Sequence, residues 1–407
     1  MTYRVLRETK IIFALVATFV MLVTDAHAVP VYDVTILRAP PGSGFNAQVV
    51  GTDINDSRQI TGYIPAGNTS LDRAFVTPSI VNTFDSDSYA ATGWYTDLFY
   101  SDLTVLGTLG GTNSRGYAIN NNGRMAGSSA VNGYTPQHGI VKDAGTTILT
   151  DIGTLGGSSN TGQDVNDNGL VTGYSKTNND TSTRAYIGDE NGLTDIGTLG
   201  GSNSFGRGIN NNGQVTGASE INSSIVQHAF VWDSNTGMTD LGTLGGNSSY
   251  GQSINNSGVV TGTSLIRKYP STGSAFDVDH AFLWDSVNGM VDLGTLLPQN
   301  ERSTSRGIDI NDNGQAIGYT DSISGGLTPY LWENGTMYNL LDLVNSNHPF
   351  SPINARSIFM GINNYGDIVV GNYLFTRQRP SNIPEPAPIV LLGLGLLGLG
   401  IMRKRQR

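Results

Sequence analysis

The chain has 407 residues, 53 glycines, no cysteine and a formal net charge of −10. Without thiols there can be no disulfide staple, thiolate metal site or cysteine nucleophile. Residues 29–386 hold 16 of the 23 basic and 31 of the 33 acidic residues, a net charge of −15, which repels phosphate backbones and argues against a nucleic-acid partner.

The first 28 residues read in three parts. Arg4, Arg7 and Lys10 make a basic start, residues 11–23 are uncharged and apolar, and Ala26-His27-Ala28 places small residues at Ala26 and Ala28. That order predicts a signal peptide cut by signal peptidase after Ala28, since the apolar run is short for a span. Next comes Val31-Tyr32-Asp33-Val34-Thr35-Ile36-Leu37, a strand-like stretch standing before any repeat.

From there the chain repeats itself. One element reads Ile/Val-Asn, two residues, usually Gly, then an alternating stretch ending in Gly. Its Asn residues are Asn55, Asn120, Asn166, Asn210, Asn255, Asn311 and Asn363, spaced 65, 46, 44, 45, 56 and 52 apart. A second element precedes it, as in Asp151-Ile152-Gly153-Thr154-Leu155-Gly156-Gly157, and recurs from Asp195 and Asp240, with a truncated start at Asp292. A third is His228-Ala229-Phe230-Val231-Trp232 and His280-Ala281-Phe282-Leu283-Trp284, with weaker copies at residues 73–76, 138–141, 184–187 and 328–332. These strings resemble the HAF family of extracellular repeats over roughly residues 47–375. That resemblance implies an exported repeat protein and little about activity.

Each repeat holds four strand-length stretches, with Asn-Gly or Ser-Gly read as a hairpin turn because both residues tolerate positive φ. Four strands at a period of about 45 residues is the size of a propeller blade. The expected fold is all-β: a seven-bladed β-propeller with four-stranded blades over residues 29–378. The last repeat lacks a fourth strand, so residues 31–37 are expected to supply it and close the ring.

Chemistry is sparse. Asp164-Val165-Asn166-Asp167-Asn168-Gly169 and its copy from Asp309 match half a calcium loop, but Ser175 and Thr320 stand where its last acidic ligand belongs. Turns are the preferred reading, with calcium at one or two blades as the alternative and no other cofactor expected. His228 and His280 are read as bonding a neighbouring blade's turn rather than a metal. Trp232, Trp284 and Trp332 are read as packing. The repeated Asp151, Asp195, Asp240 and Asp292 are read as capping turns. No catalytic residue is assigned.

Function on a repeat scaffold is expected where the repeat breaks. Residues 77–101 contain Trp94, Tyr95, Phe99 and Tyr100; residues 263–279 contain Arg267, Lys268 and Tyr269; residues 341–356 contain His348-Pro349-Phe350. Aromatic loops on an acidic exported scaffold suit stacking on sugar rings. The expected function is non-enzymatic binding of extracellular polysaccharide or another surface protein. The alternative is a secreted polysaccharide lyase or glycosidase, which for a glycosidase requires two facing carboxylates.

The end of the chain is a linker (379–388) with Pro384-Glu385-Pro386, an apolar segment (389–402) and a basic finish (403–407) with Arg403, Lys404 and Arg405. An apolar run before basic residues stops in a membrane with its charges on the cytoplasmic side. Pro384-Glu385-Pro386, the apolar helix and the basic end resemble the PEP-CTERM sorting signal of Gram-negative bacteria, with Ile383 where the family usually has Val. The resemblance implies transient anchoring of a transmembrane helix in the inner membrane, then exosortase cleavage and delivery to the surface or extracellular matrix.

Overall fold

A computed structural model describes residues 29–38, 49–65, 71–80, 97–99, 103–222, 225–269, 274–298, 300–321, 326–344 and 360–378. The proposed signal peptide, linker, apolar segment and basic end lie outside these residues, as do Trp94, Tyr95, Tyr100 and residues 345–356. Among the described residues no helix is long and apolar enough to cross a membrane.

Residues 32–379 form one compact unit of seven sheets. The seven first strands are Val50–Ile54, Ser114–Ile119, Gly156–Val165, Gly200–Ile209, Ser249–Ile254, Ser305–Ile310 and Met360–Ile362; they define blades 1 to 7 in chain order. In blade 4 the sheet continues through Val215–Ile221, Gln227–Asp233 and Gly237–Asp240, and blades 1 to 6 all follow this order. Among the described residues blade 7 has three strands of its own, and Tyr32–Arg38 completes it by pairing antiparallel with Tyr373–Arg377. The expected N-terminal closure is therefore present.

The repeated glycine of the second strand answers a bulge in the first. In blades 1 to 6 the first strand slips register before its last residues, as between Gly206 and Gly208 of blade 4. The bulge pushes backbone toward the partner strand. A Cβ on Gly217 would overlap the Phe205 carbonyl oxygen, and one on Gly62 that of Val50, so only glycine fits.

Burial follows the third element. Phe75, Tyr186, Phe230, Phe282 and Tyr330 occupy one position of the third strand, opposite the second-strand glycine, and are fully buried, as is Phe375 two residues further along the third strand of blade 7. They pack between neighbouring blades: Phe230 joins Ala185 and Ile196 of blade 3, with Trp232 partly buried against them. Trp284 packs likewise on a cluster shared by blades 4 and 5. Burying each such aromatic contributes about 1.5–3 kcal/mol.

Two elements differ from expectation. Only the start of the Asp-Leu-Gly-Thr-Leu-Gly-Gly string belongs to the fourth strand; Gly156-Gly157 and Gly200-Gly201 already open the next blade's first strand. The 77–101 break is not only loop, because Asp97–Phe99 pairs parallel with Tyr32–Arg38 as a fifth strand on blade 7.

Candidate functional site

The strand directions give the ring two faces. First-to-second strand turns, carrying the repeated Asn, lie on one face, together with the third-to-fourth turns. Second-to-third hairpins and the links between blades lie on the other.

On the Asn face the turn was expected to use Asn for positive φ. It does not. In blade 4 the Gly213 amide bonds the Asn210 carbonyl and Asn210 N bonds the Gln214 carbonyl; only Gly213 has positive φ, +76°. Asn210 Oδ1 accepts from the amides of Asn212 and Gln214, while its Nδ2 donates to the Asn255 carbonyl of blade 5. The same donation runs Asn55 to Asn120, Asn166, Asn210, Asn255, Asn311, Asn363 and back to Asn55, at 2.8–3.2 Å. One residue on, a second ring closes. The amide of each of Asp56, Asn121, Asp167, Asn211, Asn256, Asp312 and Asn364 donates to the side-chain oxygen of the next, at 2.8–2.9 Å. Asparagine suits the first ring because its short stem carries the acceptor and the donor on separate atoms, so one can serve its own turn while the other reaches the next blade.

These rings surround an axial cavity of about 150 Å³, below the usual 300–1,000 Å³ of a small-molecule pocket. Two residues before the ring Asn stand Asp53, Asp164 and Asp309, in blades 1, 3 and 6. Each carboxylate accepts from the amide after it and from one on the next blade: Asp53 from Ile54 and Ile119, Asp164 from Val165 and Ile209, Asp309 from Ile310 and Ile362. Ser253 Oγ also donates to Asp309. The next blade carries Ala118, Gly208 or Gly361 there, and a Cβ on Gly208 would collide with the Ser253 backbone, one on Gly361 with Asp53.

Burial drives all three carboxyl pKa values up, against the lowering effect of the amide bonds. Asp164 rises to about 6; Asp53 rises with added repulsion from Asp309; Asp309 rises as well. A raised folded-state pKa means the folded chain keeps protons the unfolded chain has released. Stability should therefore fall as pH climbs from the ordinary aspartate range through about 6, with Asp164 contributing at most about 3 kcal/mol. Urea titrations from pH 4.5 to 7.5 should show this slope, and Asp164→Asn should flatten it whatever its effect on absolute stability. An unchanged slope in the variant refutes the assignment.

The aspartates of the half calcium loops accept hydrogen bonds from neighbouring groups. Asp167 accepts from the Asn121 amide and from Asn211 Nδ2, while Asp164 accepts amides as above. Among the described residues no group of three His, Asp or Glu side chains can hold a metal.

The histidines also differ from expectation. His228 Nδ1 lies 2.9 Å from Asp240, and His280 Nδ1 2.9 Å from Asp292, each within its own blade. The third and fourth strands are adjacent and antiparallel, so the start of one meets the end of the other. Those aspartates also cap turns as expected, Asp151 Oδ1 accepting from Gly153 N and Asp240 Oδ1 from Gly242 N. Hydrogen bonds from His280 and the Gly294 amide outweigh desolvation and hold Asp292 below the usual range.

Two of the expected binding breaks can be followed from described residues, on opposite faces; the third, 341–356, lies mostly outside the described residues. Residues 77–101 leave the third strand of blade 1 on the Asn face, and the Phe99 side chain is outside the described set. Residues 263–279 are largely a hairpin prolonged beyond blade 5, Val260–Lys268 against Phe276–Asp285, on the opposite face. Arg267 there pairs with Asp277 at 3.1 Å, Lys268 sits across from Phe276, and Tyr269 is 81% exposed at the tip. Equivalent hairpins of blades 1, 2, 4 and 6 also expose an apolar side chain at or beside the tip: Leu71, Tyr134, Ile225 and Leu327. Sequence reading missed this set because each member is a single residue in an otherwise ordinary loop.

No curated protein matches the chain by sequence. Among solved structures it is similar to TolB from Acinetobacter baumannii, at 12% identity and TM-score 0.41 over 68% of this chain and 61% of that one. It thus spans about three fifths of that relative's length. It is also similar to the β-propeller domain of the Trilobed protease from Pyrococcus furiosus, described as having an open velcro topology, at 12% identity and TM-score 0.44 over 72% and 82%. A third likeness is a mutant of AofleA from Arthrobotrys oligospora, at 10% identity and TM-score 0.30 over 78% and 90%. Residues 382–405 match the PEP-CTERM protein-sorting motif, which implies processing by exosortase. The chain is a seven-bladed β-propeller bearing a PEP-CTERM sorting motif, and so an exported protein sorted to the surface.

Proposed function

We propose that this propeller is a non-enzymatic surface or extracellular-matrix protein of the HAF-repeat kind that binds extracellular polysaccharide through its face loops. The observation that carries this reading is the set of exposed apolar side chains on equivalent hairpins of one face: Leu71, Tyr134, Ile225, Tyr269 and Leu327. Among the described residues the Asn face exposes Ile148, Val287 and Tyr365, a smaller set. Rigid aromatic side chains at hairpin tips stack on sugar rings at low entropic cost. The axial carboxylates are committed to backbone amides, which favours a structural role over general acid and base work. The mature protein, freed from its sorting tail by exosortase, would meet polymer at the surface.

The test is a glycan array probed with the exported full chain, with and without calcium, alongside an assay for newly released reducing or unsaturated ends. Binding to polysaccharide without chain cleavage, weakened at least tenfold by Tyr269→Ala, is the expected result. Cleavage would instead establish the lyase or glycosidase alternative. An array with no polysaccharide bound would overturn the reading in favour of a surface-protein partner.

A further inference from the structure

The bulge in each first strand leaves one residue without a cross-strand partner: Thr52, Tyr117, Gln163, Arg207, Gln252 and Ile308 in blades 1 to 6. A bulge re-aims the side chain it carries. This position comes immediately before Asp53, Asp164 and Asp309 in their strands, so the six residues form the next layer along the axis, toward the hairpin face. Five of them are neutral. The sixth, Arg207, is half-buried on the innermost strand of blade 4. Its Nε is sealed from solvent and makes no hydrogen bond. Its two terminal nitrogens also have no partner among the described residues, and they keep accessible surface. The other first-strand arginines are committed, Arg115 to Asp72 at 2.8 Å from Nε and Arg306 to Asp279 at 2.6 Å. Burial lowers the Arg207 pKa from the ordinary arginine value, as it does for a cation drawn from water without a counter-charge. Holding a charge in that state is unfavourable until something pairs with it.

The groups around Arg207 are equally unspent. Tyr174 of blade 3 and Tyr250 of blade 5 lie within electrostatic reach of the guanidinium, one on each side. Both are half-buried, and neither hydroxyl has a hydrogen-bond partner among the described residues. The same holds for the side-chain amides of Gln163 and Gln252, the bulge residues of the two flanking blades. None of these polar atoms is sealed from solvent. The Tyr174 ring meets Phe205 of blade 4 edge-on, with centroids 5.3 Å apart. Glycines bring the three blades this close: a Cβ on Gly206 would lie 2.8 Å from the Gly173 carbonyl oxygen, and one on Gly208 2.9 Å from Ser253 Cα. The axial carboxylates do not answer the cation, since Asp164 turns its oxygens to the Val165 and Ile209 amides.

We infer that Arg207, on the hairpin side of the axis, is the anchor of a carboxylate-binding site that takes a uronic-acid residue of the polysaccharide, an inference that rests on the proposed polysaccharide reading. The two accessible guanidinium nitrogens form a fork that matches the two oxygens of a carboxylate. The Tyr174 and Tyr250 hydroxyls and the Gln163 and Gln252 amides supply donors and acceptors for the sugar hydroxyls. The half-buried faces of Tyr174, Phe205 and Tyr250 suit the apolar faces of the ring. One cation on a body of net charge −15 matches a single negative charge and selects against doubly charged phosphates. The site opens toward the face that carries the exposed hairpin tips, so one polymer can engage both.

The test uses the exported full chain and two variants. Arg207→Gln installs the residue that blades 3 and 5 carry at this position, and it should melt no lower than the parent because it removes an uncompensated charge. Arg207→Lys keeps the charge without the planar fork. Each protein is titrated calorimetrically with alginate, polygalacturonate and hyaluronan, with the carboxyl-reduced form of each polymer, and with free glucuronate. The expected result is that the parent binds at least one uronate polymer tenfold or more tighter than its reduced form. Arg207→Gln should lose that preference while binding the reduced polymers as the parent does, and Arg207→Lys should fall between. Free glucuronate should bind more weakly than the polymer, which also meets the hairpin tips. Uronate binding that is equal in parent and Arg207→Gln overturns the site and leaves the polysaccharide reading standing. Equal or tighter binding of the reduced polymers by the parent overturns the carboxylate assignment. Free glucuronate bound as tightly as polymer overturns the site's place in polymer binding and assigns it to a free acid. No binding of any polymer by the parent overturns the polysaccharide reading itself.

Discussion

Replacing Asn255 with aspartate is expected to remove about 3–5 kcal/mol of stability at pH 7, read from the urea midpoint of the exported protein. The side chain is buried. Its Oδ1 accepts the amides of Ser257 and Val259, and its Nδ2 donates at 3.1 Å to the Asn311 carbonyl of the next blade. Aspartate keeps the two acceptances but turns a charged oxygen onto that carbonyl, a repulsion in a site without a cation. Protonating the new carboxyl restores a donor, so the deficit relative to the parent should shrink on acidification. An Asn confined to an exposed turn would change stability by no more than about 0.5 kcal/mol on such a swap. A deficit that small, or one indifferent to pH, would show that the ring bonds carry no weight.

The second large effect is expected where the ends of the ring meet. Arg58 of blade 1 occupies the turn position that glycine fills in the other blades and has φ of +58°. It reaches Asp367 of blade 7, Nε to Oδ2 at 2.7 Å, and that aspartate is fully buried. Asp367 also accepts from the Arg377 amide and from Asn363 Nδ2. Asp367→Ala deprives a largely buried guanidinium of its counter-charge, at an expected cost of about 3–5 kcal/mol. Arg58→Gly/Asp367→Gln should recover most of that loss. Glycine relieves the left-handed backbone, and glutamine stands at the equivalent position as Gln59, Gln214 and Gln315, accepting from its ring Asn in each case. Paired removal of a buried ion pair is often near neutral. A double variant as unstable as Asp367→Ala would mean the pair has a role beyond mutual neutralisation.

The blade count and closure were legible because they depend on local signals repeated at a fixed period: strand-length stretches, Asn-Gly turns and a leftover strand at residues 31–37. The Asp caps were legible for the same reason, since Asp151 and Gly153 are two residues apart. What escaped was every bond between blades. From one repeat Asn210 is only a turn former; its second partner, the Asn255 carbonyl, is 45 residues away and becomes a neighbour only when the ring forms. His228 was assigned to the wrong blade because strand order within the sheet was needed to place Asp240 beside it. At the junction of blades 2 and 3, Gly139 and Asn160 stand where other junctions have Ala and Ser, an exchange that gains meaning once the two positions are known to touch.

The closing pair Tyr32–Arg38 and Tyr373–Arg377 has a consequence for the timing of export. Asp33 and Gln378, bonded across that blade, are 345 residues apart in sequence. The first strand is synthesised long before its partner exists. Blades 2 to 6 can assemble from neighbouring segments of 44 to 56 residues, whereas blade 7 waits for the far end of the chain. Contacts of such separation form slowly, since their loop entropy is lost before any contact compensates it. Until then the ring is an open arc with an unpaired strand edge, a species exposed to proteolysis and to edge-to-edge association. Completion of folding is thereby tied to arrival of the C-terminal segment, so that a chain truncated during secretion leaves blade 7 unbuilt and open to proteolytic clearance.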